Sequence, residues 1–239
     1  QFYLARAYLQ GKGVLQSRST GIIWLEKAAT AGHPEAQYWM GVYSERGEGM
    51  PQNKQVAAEW FERSANQGFA ESQYALGMKY STGDGVSRDA EKALSWLKKA
   101  AEHGSAGAQY MLGLMYRDGI DVPSSPEQSF RWIHAAAAQK HISAQNLLGV
   151  FYEQGYGTPS QPEEAKRFYQ LAAENEDADA QLNLGALLLN QSTTDSDDAA
   201  AVKWITRAAM QQHPEAELLL ALCLRDGIGG EKNPSKAAQ

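Results

Sequence analysis

Histidines are the side chains of this sequence that are best suited to proton transfer or metal binding, and three of the five share one spacing. His33, His141 and His213 are separated by multiples of 36 residues. If successive 36-residue units stack at the usual helix–helix distance of about 10 Å, these imidazoles lie too far apart to share a metal ion. We therefore interpret them as turn residues near helix ends.

Two other patterns have a chemical interpretation, and both are weak. Gly-x-Gly occurs at Gly47–Gly49 and Gly83–Gly85, but no Lys-Ser/Thr pair follows and no strand pattern precedes, as a phosphate-binding loop requires. Cys223 is the single cysteine and has no histidine beside it in sequence, so we expect a small residue of the helix surface or of the core rather than a nucleophile. The sequence thus predicts no catalytic residue, no cofactor and no metal site, and a protein that is not an enzyme.

Composition excludes several further classes. The 239 residues include 22 Lys and Arg, 28 Asp and Glu and one Cys, with a formal net charge of −6. One cysteine excludes a disulfide framework and a cysteine-built zinc site. Mild acidity without a basic run argues against a nucleic-acid groove or an anionic-membrane anchor. Because the chain starts at Gln1 within a helical pattern, we expect a segment to precede it, and the compartment is not readable from composition.

The elements that position these residues repeat every 36 residues over the whole chain. The repeat is carried by a glycine column, an aromatic column and a glutamine column: Gly41, Gly77, Gly113, Gly149, Gly185; Trp24, Trp60, Trp96, Trp132, Phe168, Trp204; and Gln1, Gln37, Gln73, Gln109, Gln145, Gln181. A period of this length indicates a solenoid of small stacked units.

Each unit is predicted to form two helices. The first ends at a glycine such as Gly47, where a left-handed residue ends a helix at low cost. The second begins at a column of capping residues that includes Ser17, Asn53, Asp89, Ser125 and Asp197, with Gln161 as its weak member. It then carries the aromatic column and an Ala-Ala pair. Because Gln191-Ser192-Thr193-Thr194 replaces Gly-x-Gly in the sixth unit, we expect that loop to differ.

The motifs resemble those of the Sel1-like repeat, a longer relative of the tetratricopeptide repeat. The resemblance lies in Ala36-Gln37-Tyr38 through Met40-Gly41, Gly47-x-Gly49, and Ala93 to Ala101 followed by Gly104. We therefore predict an all-α protein: an α-solenoid, coiled as a right-handed superhelix, of six full helix-turn-helix repeats and a partial seventh. Residues 1–239 are expected to form a single domain that is truncated within a repeat at both ends.

The resemblance implies a scaffold or adaptor rather than an enzyme. Bacterial Sel1-like proteins are often exported or periplasmic, so the resemblance favours the bacterial periplasm or cell envelope, with the cytoplasm as the alternative. They include host-interaction factors, envelope regulators and immunity proteins of secreted lipase toxins. One subgroup with a cysteine pair in every repeat is linked to β-lactam binding. Since this chain has only Cys223, those disulfides and that ligand do not carry over.

A partner surface is predicted on the side of the first helices that faces away from their small-residue packing face, at about 100° per residue. That side holds an apolar strip rich in Tyr and Met, as protein-binding surfaces often do. Trp39 is its most unusual member, since only Tyr3 is comparable among the other repeats. The predicted partner-binding residues are Tyr38, Trp39, Val42, Tyr74, Met78, Tyr110, Met111 and Leu114. Packing between neighbouring first helices is the alternative role of each tyrosine.

We predict a non-catalytic scaffold that binds another protein in its concave groove, without nucleic acid and without a membrane span. An immunity or regulatory protein that blocks a secreted, lipase-type enzyme is one concrete form of this function. A small-molecule-binding or weakly hydrolytic protein of the β-lactam-interacting type is the alternative. Self-assembly through exposed end faces is a third hypothesis.

Overall fold

The computed structural model describes residues 1–237, which form fourteen α-helices and no strand. The helices are α1 (Phe2–Gln10), α2 (Arg18–Thr30), α3 (Pro34–Arg46), α4 (Lys54–Ala65), α5 (Ala70–Thr82), α6 (Ala90–Glu102), α7 (Ala106–Asp118), α8 (Pro126–Ala138), α9 (Ile142–Gln154), α10 (Pro162–Ala173), α11 (Ala178–Gln191), α12 (Asp195–Met210), α13 (Pro214–Asp226) and α14 (Pro234–Ala237). The all-helical prediction is confirmed. The predicted second helix of the seventh repeat, Ser235 to Gln239, lies partly outside the described residues.

The chain divides into two compact units, Gln1–Ser124 with α1 to α7 and Ser125–Gln239 with α8 to α14. Within each unit, consecutive helices pack against one another. One hairpin cannot bury its apolar face alone, so stacking of successive hairpins supplies the core of each unit.

Helix ends follow the repeat. Six odd-numbered helices end at a glycine with φ between 69° and 79°, the left-handed conformation that side chains resist: Gly11, Gly47, Gly83, Gly119, Gly155 and Gly227. The histidine column starts three of these helices, because His33, His141 and His213 each accept a backbone N–H at Nδ1. Their predicted place near helix ends is therefore confirmed.

The sixth repeat departs from the register, as its loop sequence predicted. Helix α11 ends at Ser192 with an extended backbone rather than at a glycine. The predicted N-cap Asp197 is wrong: the N-cap of α12 is Thr194, whose hydroxyl accepts from the Asp197 backbone N–H. The Asp197 carboxylate in turn accepts from the Thr194 N–H at 3.1 Å, which completes a capping box. This reciprocal pair starts the helix three residues before the position that the repeat predicts.

The glycine column exists because a large side chain fills the space beside it. Gly41, Gly77, Gly149 and Gly185 face the residue 20 positions later, and an added Cβ would lie 2.5–2.9 Å from Phe61, Leu97, Tyr169 and Ile205 respectively. These four side chains are almost completely buried. The neighbouring tryptophans Trp60, Trp96 and Trp204 are only half-buried, and each carries an Arg or Lys over its ring. The buried column of Phe61, Leu97, Tyr169 and Ile205 therefore fills the core, and it lies one position after the aromatic column that dominates the sequence pattern.

The glutamine column joins consecutive helices. Gln37 donates from Nε2 to the Ala29 carbonyl at 3.0 Å, and Gln73 donates to that of Ala65 at 3.0 Å. Gln109 and Gln181 make the same bond to Ala101 and Ala173. The acceptors lie in the Ala-Ala pairs, or in Ser64-Ala65 for Gln73, where small side chains allow the close approach. A buried amide and a small neighbour thus explain two sequence columns together.

Candidate protein-binding surface

Four of the predicted partner-binding residues lie together around one cavity in the unit Gln1–Ser124. Tyr38 and Val42 of α3 and Tyr74 and Met78 of α5 line a cavity of about 340 Å³, which we call the α3–α5 pocket. Phe61 and Ala75 complete its apolar wall. Two successive repeats therefore contribute equivalent side chains to one site, because the residues at 38 and 74, and at 42 and 78, share a repeat position.

Charged side chains form the rest of the lining, chiefly Glu45, Arg46, Glu71, Lys79 and Asp84. An apolar wall beside polar and charged groups is the arrangement that binding hot spots often have. It suits one apolar anchor side chain of a partner, with polar groups around it.

Lys79 is the most unusual residue of this lining because it is only 4% exposed. Its Nζ donates to Glu45 Oε1 at 2.7 Å and to Asp84 Oδ2 at 3.3 Å. Asp84 also accepts from Lys54 Nζ at 2.7 Å, and this hydrogen bond is the main reason why the pKa of Asp84 is lowered. Three helices, α3, α4 and α5, and the loop after α5 are thereby joined at the rim of the pocket.

Sequence reasoning missed Lys79, although a signal was present. Its repeat column otherwise contains only uncharged residues: Ala7, Tyr43, Met115, Phe151, Leu187 and Cys223. A single charge in such a column indicates either a buried ion pair or a functional site. Cys223 of the same column is buried, which selects the core position from the two that the sequence left open, and burial raises the pKa of its thiol.

Tyr38 packs against its own hairpin and also lines a cavity. Its ring lies 5.8 Å from that of Phe61 and 5.4 Å from that of Phe69, so it packs against the core of the hairpin. It also lines the α3–α5 pocket. Burial is the first cause of the raised pKa of both Tyr38 and Tyr74, so each phenol stays protonated and remains a hydrogen-bond donor at neutral pH.

Trp39 faces a different cavity. With 38% of its surface exposed, it lines a space of about 210 Å³ together with Phe2, Arg6, Leu9, Gln10, Leu25, Glu35 and Tyr43. Its ring lies 5.3 Å from that of Tyr38 in an edge-on contact. The predicted strip therefore lines two different cavities along α3.

The three remaining predicted residues, Tyr110, Met111 and Leu114, lie on α7 and are half-buried. They line neither of these two cavities. The structure thus brings four of the eight predicted residues to the α3–α5 pocket, gives Trp39 to a neighbouring cavity, and leaves three on the next first helix.

Residues 1–237 contain no group of three or more His, Cys, Asp or Glu side chains arranged to hold a metal ion. Over the same residues, none of the helices combines the length and apolar character that crossing a membrane demands.

The fold and this surface define the class: a helical-hairpin repeat protein whose architecture is suited to protein–protein interaction. The chain belongs to the Sel1 repeat family, since the repeat matches residues 1–33, 34–69, 70–105, 106–141, 142–177, 178–213 and 214–239. The predicted 36-residue Sel1-like repeat is thereby confirmed.

Two solved structures of bacterial proteins are similar over almost the whole chain. One is c5321, a protective antigen of uropathogenic Escherichia coli strains with an SLR fold, at 31% identity and a TM-score of 0.88. The match covers 99% of this chain and 51% of c5321, so this chain spans about half the length of that antigen. The other is a Sel1 repeat protein from Oxalobacter formigenes, at 29% identity and a TM-score of 0.76, covering 99% and 91% of the two chains.

A more distant similarity concerns the fold alone. The immunity protein PA5088 from Pseudomonas aeruginosa is 18% identical with a TM-score of 0.53, over 88% of this chain and 82% of PA5088. Comparison with curated protein sequences gives no match.

Proposed function

We propose that this protein is a non-catalytic scaffold that binds a partner protein through the exposed surface of α3, α5 and α7. The observation that carries the proposal is the α3–α5 pocket, where Tyr38, Val42, Tyr74 and Met78 from two successive repeats meet beside a charged rim. An apolar side chain of the partner enters this pocket. Trp39 extends the contact toward α1 through its own cavity.

The pocket favours a protein partner over a small ligand for a physical reason. It is open and combines apolar rings with charges of both signs, Glu45, Glu71 and Asp84 against Arg46 and Lys79. Such mixed charge gives register and specificity at a protein interface, whereas a few aromatic anchors provide most of the affinity.

A matched pair of variants tests the proposal. Met78→Lys places a charge in the α3–α5 pocket, and Leu222→Lys places the same charge at the equivalent repeat position of α13, where Leu222 is exposed. Partners are captured from cells and culture medium of the source organism, and the affinity of each captured protein is then measured with purified components. Met78→Lys should weaken binding at least about tenfold, whereas Leu222→Lys should leave it unchanged.

Circular dichroism melts of both variants establish that the fold is intact. A partner that binds wild type and Met78→Lys equally well would show that the α3–α5 pocket is not the anchor. Loss of binding in Leu222→Lys alone would assign the interaction to the unit Ser125–Gln239.

An inhibitory form of this function, in which the partner is a secreted lipase-type toxin, rests on the family resemblance. PA5088 supports it only through a shared fold. The test is a lipase assay with the captured partner: wild-type protein should abolish its hydrolysis at a one-to-one ratio, and Met78→Lys should not. A partner without hydrolytic activity would leave a scaffold that is not an immunity protein. Hydrolysis by this chain alone, abolished by one substitution, would instead support the small-molecule alternative.

A further inference from the structure

The buried glutamine column contains one interrupted pair. In three repeats the glutamine Oε1 has a partner 30 residues later: Gln37 accepts from Gln67 at 2.7 Å, Gln181 accepts from Gln211 at 2.9 Å, and Gln73 lies 2.8 Å from His103 Nδ1. In the fifth repeat, Gln145 is 5% exposed and its Oε1 has no hydrogen-bond partner. An unpaired buried acceptor lowers stability because it has lost water without gaining a partner, so its presence calls for a reason.

The interruption comes from one missing methylene group. The residue 30 positions after Gln145 is Asn175, whose side chain is shorter than that of Gln67 or Gln211. Its Nδ2 donates to the Leu171 carbonyl at 2.8 Å. Because Gln67 and Gln211 are themselves exposed, the donor in the complete pairs reaches the glutamine oxygen from the surface.

Gln145 and Asn175 both line a cavity of about 550 Å³ in the unit Ser125–Gln239, formed by α8, α9, α10 and the turns beside them. Ile142, Phe168 and Leu171 give it an apolar wall. Its formally charged lining residues are Lys140 and Arg167, both basic, and His134 adds a third nitrogen side chain. Arg167 lies over the Phe168 ring at 4.5 Å, and its Nε is 3.1 Å from Glu164 Oε2 outside the lining.

Three chemical requirements follow for a ligand of this cavity. It must donate a hydrogen bond to Gln145 Oε1, carry a negative charge for Lys140 and Arg167, and present an apolar group to Phe168 and Leu171. We infer that the cavity binds an N-acylated apolar α-amino acid with a free carboxylate, either as a free molecule or as the last residue of a peptide. Its amide N–H takes the place of the missing glutamine donor, its carboxylate faces the two cations, and its side chain covers the apolar wall.

Titration of the whole protein with N-acetyl-leucine and with acetyl-Gly-Gly-Leu, followed by amide NMR shifts, tests this inference. Both should bind and shift the resonances of α9 and α10. N-acetyl-leucinamide, which lacks the carboxylate, and N-acetyl-N-methyl-leucine, which lacks the donor, should each bind at least about tenfold more weakly. Equal affinity for the two probes would show that only the final residue is recognised, and tighter binding of the peptide would identify a chain terminus as the ligand.

The chain provides its own control. Asn175→Gln restores the pair seen at Gln67 and Gln211, so it should raise the melting temperature and abolish binding of both probes. Gln67→Asn creates the same gap at Gln37, but there Gly32 and Glu59 stand where Lys140 and Arg167 stand in the fifth repeat. This variant should lose stability without gaining any affinity for the probes.

The inference is overturned by three results. These are no binding of either probe to wild type, unchanged binding of the probes to Asn175→Gln, or binding of N-acetyl-leucinamide or N-acetyl-N-methyl-leucine that is as tight as that of N-acetyl-leucine. No binding of either probe, together with a raised melting temperature of Asn175→Gln, would mean that water alone occupies the gap beside Gln145.

Discussion

Helices α5 and α13 occupy equivalent positions in two repeats and present different surfaces. Their corresponding residues are Tyr74, Met78 and Lys79 on α5, and Leu218, Leu222 and Cys223 on α13. The first set lines the α3–α5 pocket with its charged rim, whereas Leu218 and Leu222 are exposed and Cys223 is buried. The same backbone position therefore supports a mixed pocket in one repeat and an aliphatic face in another.

The packing columns beneath these surfaces differ much less. Gly41 faces Phe61 in the second repeat and Gly185 faces Ile205 in the sixth, with the same 20-residue separation. The amide of Gln37 and that of Gln181 bind carbonyls at the same offset. Repeated columns thus carry the packing of the fold, whereas the columns that vary between repeats give each repeat a different surface.

The largest effect is expected where the buried column is truncated. Phe61→Ala removes a fully buried ring that fills the space beside Gly41, and we expect a loss of about 3–5 kcal/mol in the free energy of unfolding. Trp60→Ala removes a half-buried ring that Arg63 covers at 4.8 Å, and should cost about 1–3 kcal/mol. Urea denaturation followed by circular dichroism measures both. If Phe61→Ala and Trp60→Ala lower the free energy of unfolding equally, the core is not formed mainly by Phe61 and its counterparts in the other repeats.

The sequence allowed much of this core to be predicted and little of the surface. Glycine, alanine and glutamine columns recur because they meet one another within a hairpin and its neighbour, so spacing alone reveals them. The role of Phe61 was missed because Phe61, Leu97, Tyr169 and Ile205 differ in type and hide the column. The start of α12 was missed because the local Thr194–Asp197 capping box overrides the repeat register.

The candidate site was predictable only where it followed the helical period. Helical spacing placed Tyr38, Val42, Tyr74 and Met78 on one side, and the structure brings them to one pocket. That Trp39 lines a separate cavity depends on the packing of α1 against α2 and α3, which the period does not specify. The Gln145 Oε1 atom lacks a hydrogen-bond partner because Asn175 is one methylene group shorter than the glutamine of other repeats, and spacing does not reveal this.

A smaller effect is expected at the buried charge that distinguishes α5 from its counterparts. Met115 occupies the position of Lys79 in the fourth repeat, so Lys79→Met should fit and change the free energy of unfolding by less than about 1 kcal/mol. Lys79→Ala leaves a cavity and should cost about 2 kcal/mol. Both are measured by urea denaturation.

Glu45 provides the control for this prediction, because it accepts from Lys79 at 2.7 Å while Asp84 keeps Lys54 as a partner. A double-mutant cycle of Lys79→Met with Glu45→Gln measures the coupling of the ion pair. If Lys79→Met is as destabilised as Lys79→Ala and the coupling is large, the ion pair rather than packing stabilises α5 at this position.

The smallest effect is expected at the caps that start α7 and α9. Ser105 caps α7 with a hydroxyl, and His141 caps α9 by accepting from the Ala144 N–H at Nδ1. Burial lowers the pKa of His141 below its ordinary value near 6.5, although a backbone hydrogen bond opposes the shift. The neutral cap therefore stabilises the fold fully above pH 6.5, and this contribution is lost as pH falls through the lowered pKa.

His141→Ser gives α9 the serine cap that α7 already has, and it removes the imidazole that can titrate. At pH 7.5 the two proteins should differ by only about 0.5 kcal/mol, since both residues accept the capping hydrogen bond. On lowering the pH to 5, the melting temperature of wild type should fall further than that of His141→Ser, because protonation places a charge in a buried site and occupies the accepting nitrogen. Ser105→Ala is the control, and it should lower stability equally at both pH values. Parallel pH profiles of wild type and His141→Ser would show that His141 does not titrate in this range and that both caps respond to pH alike.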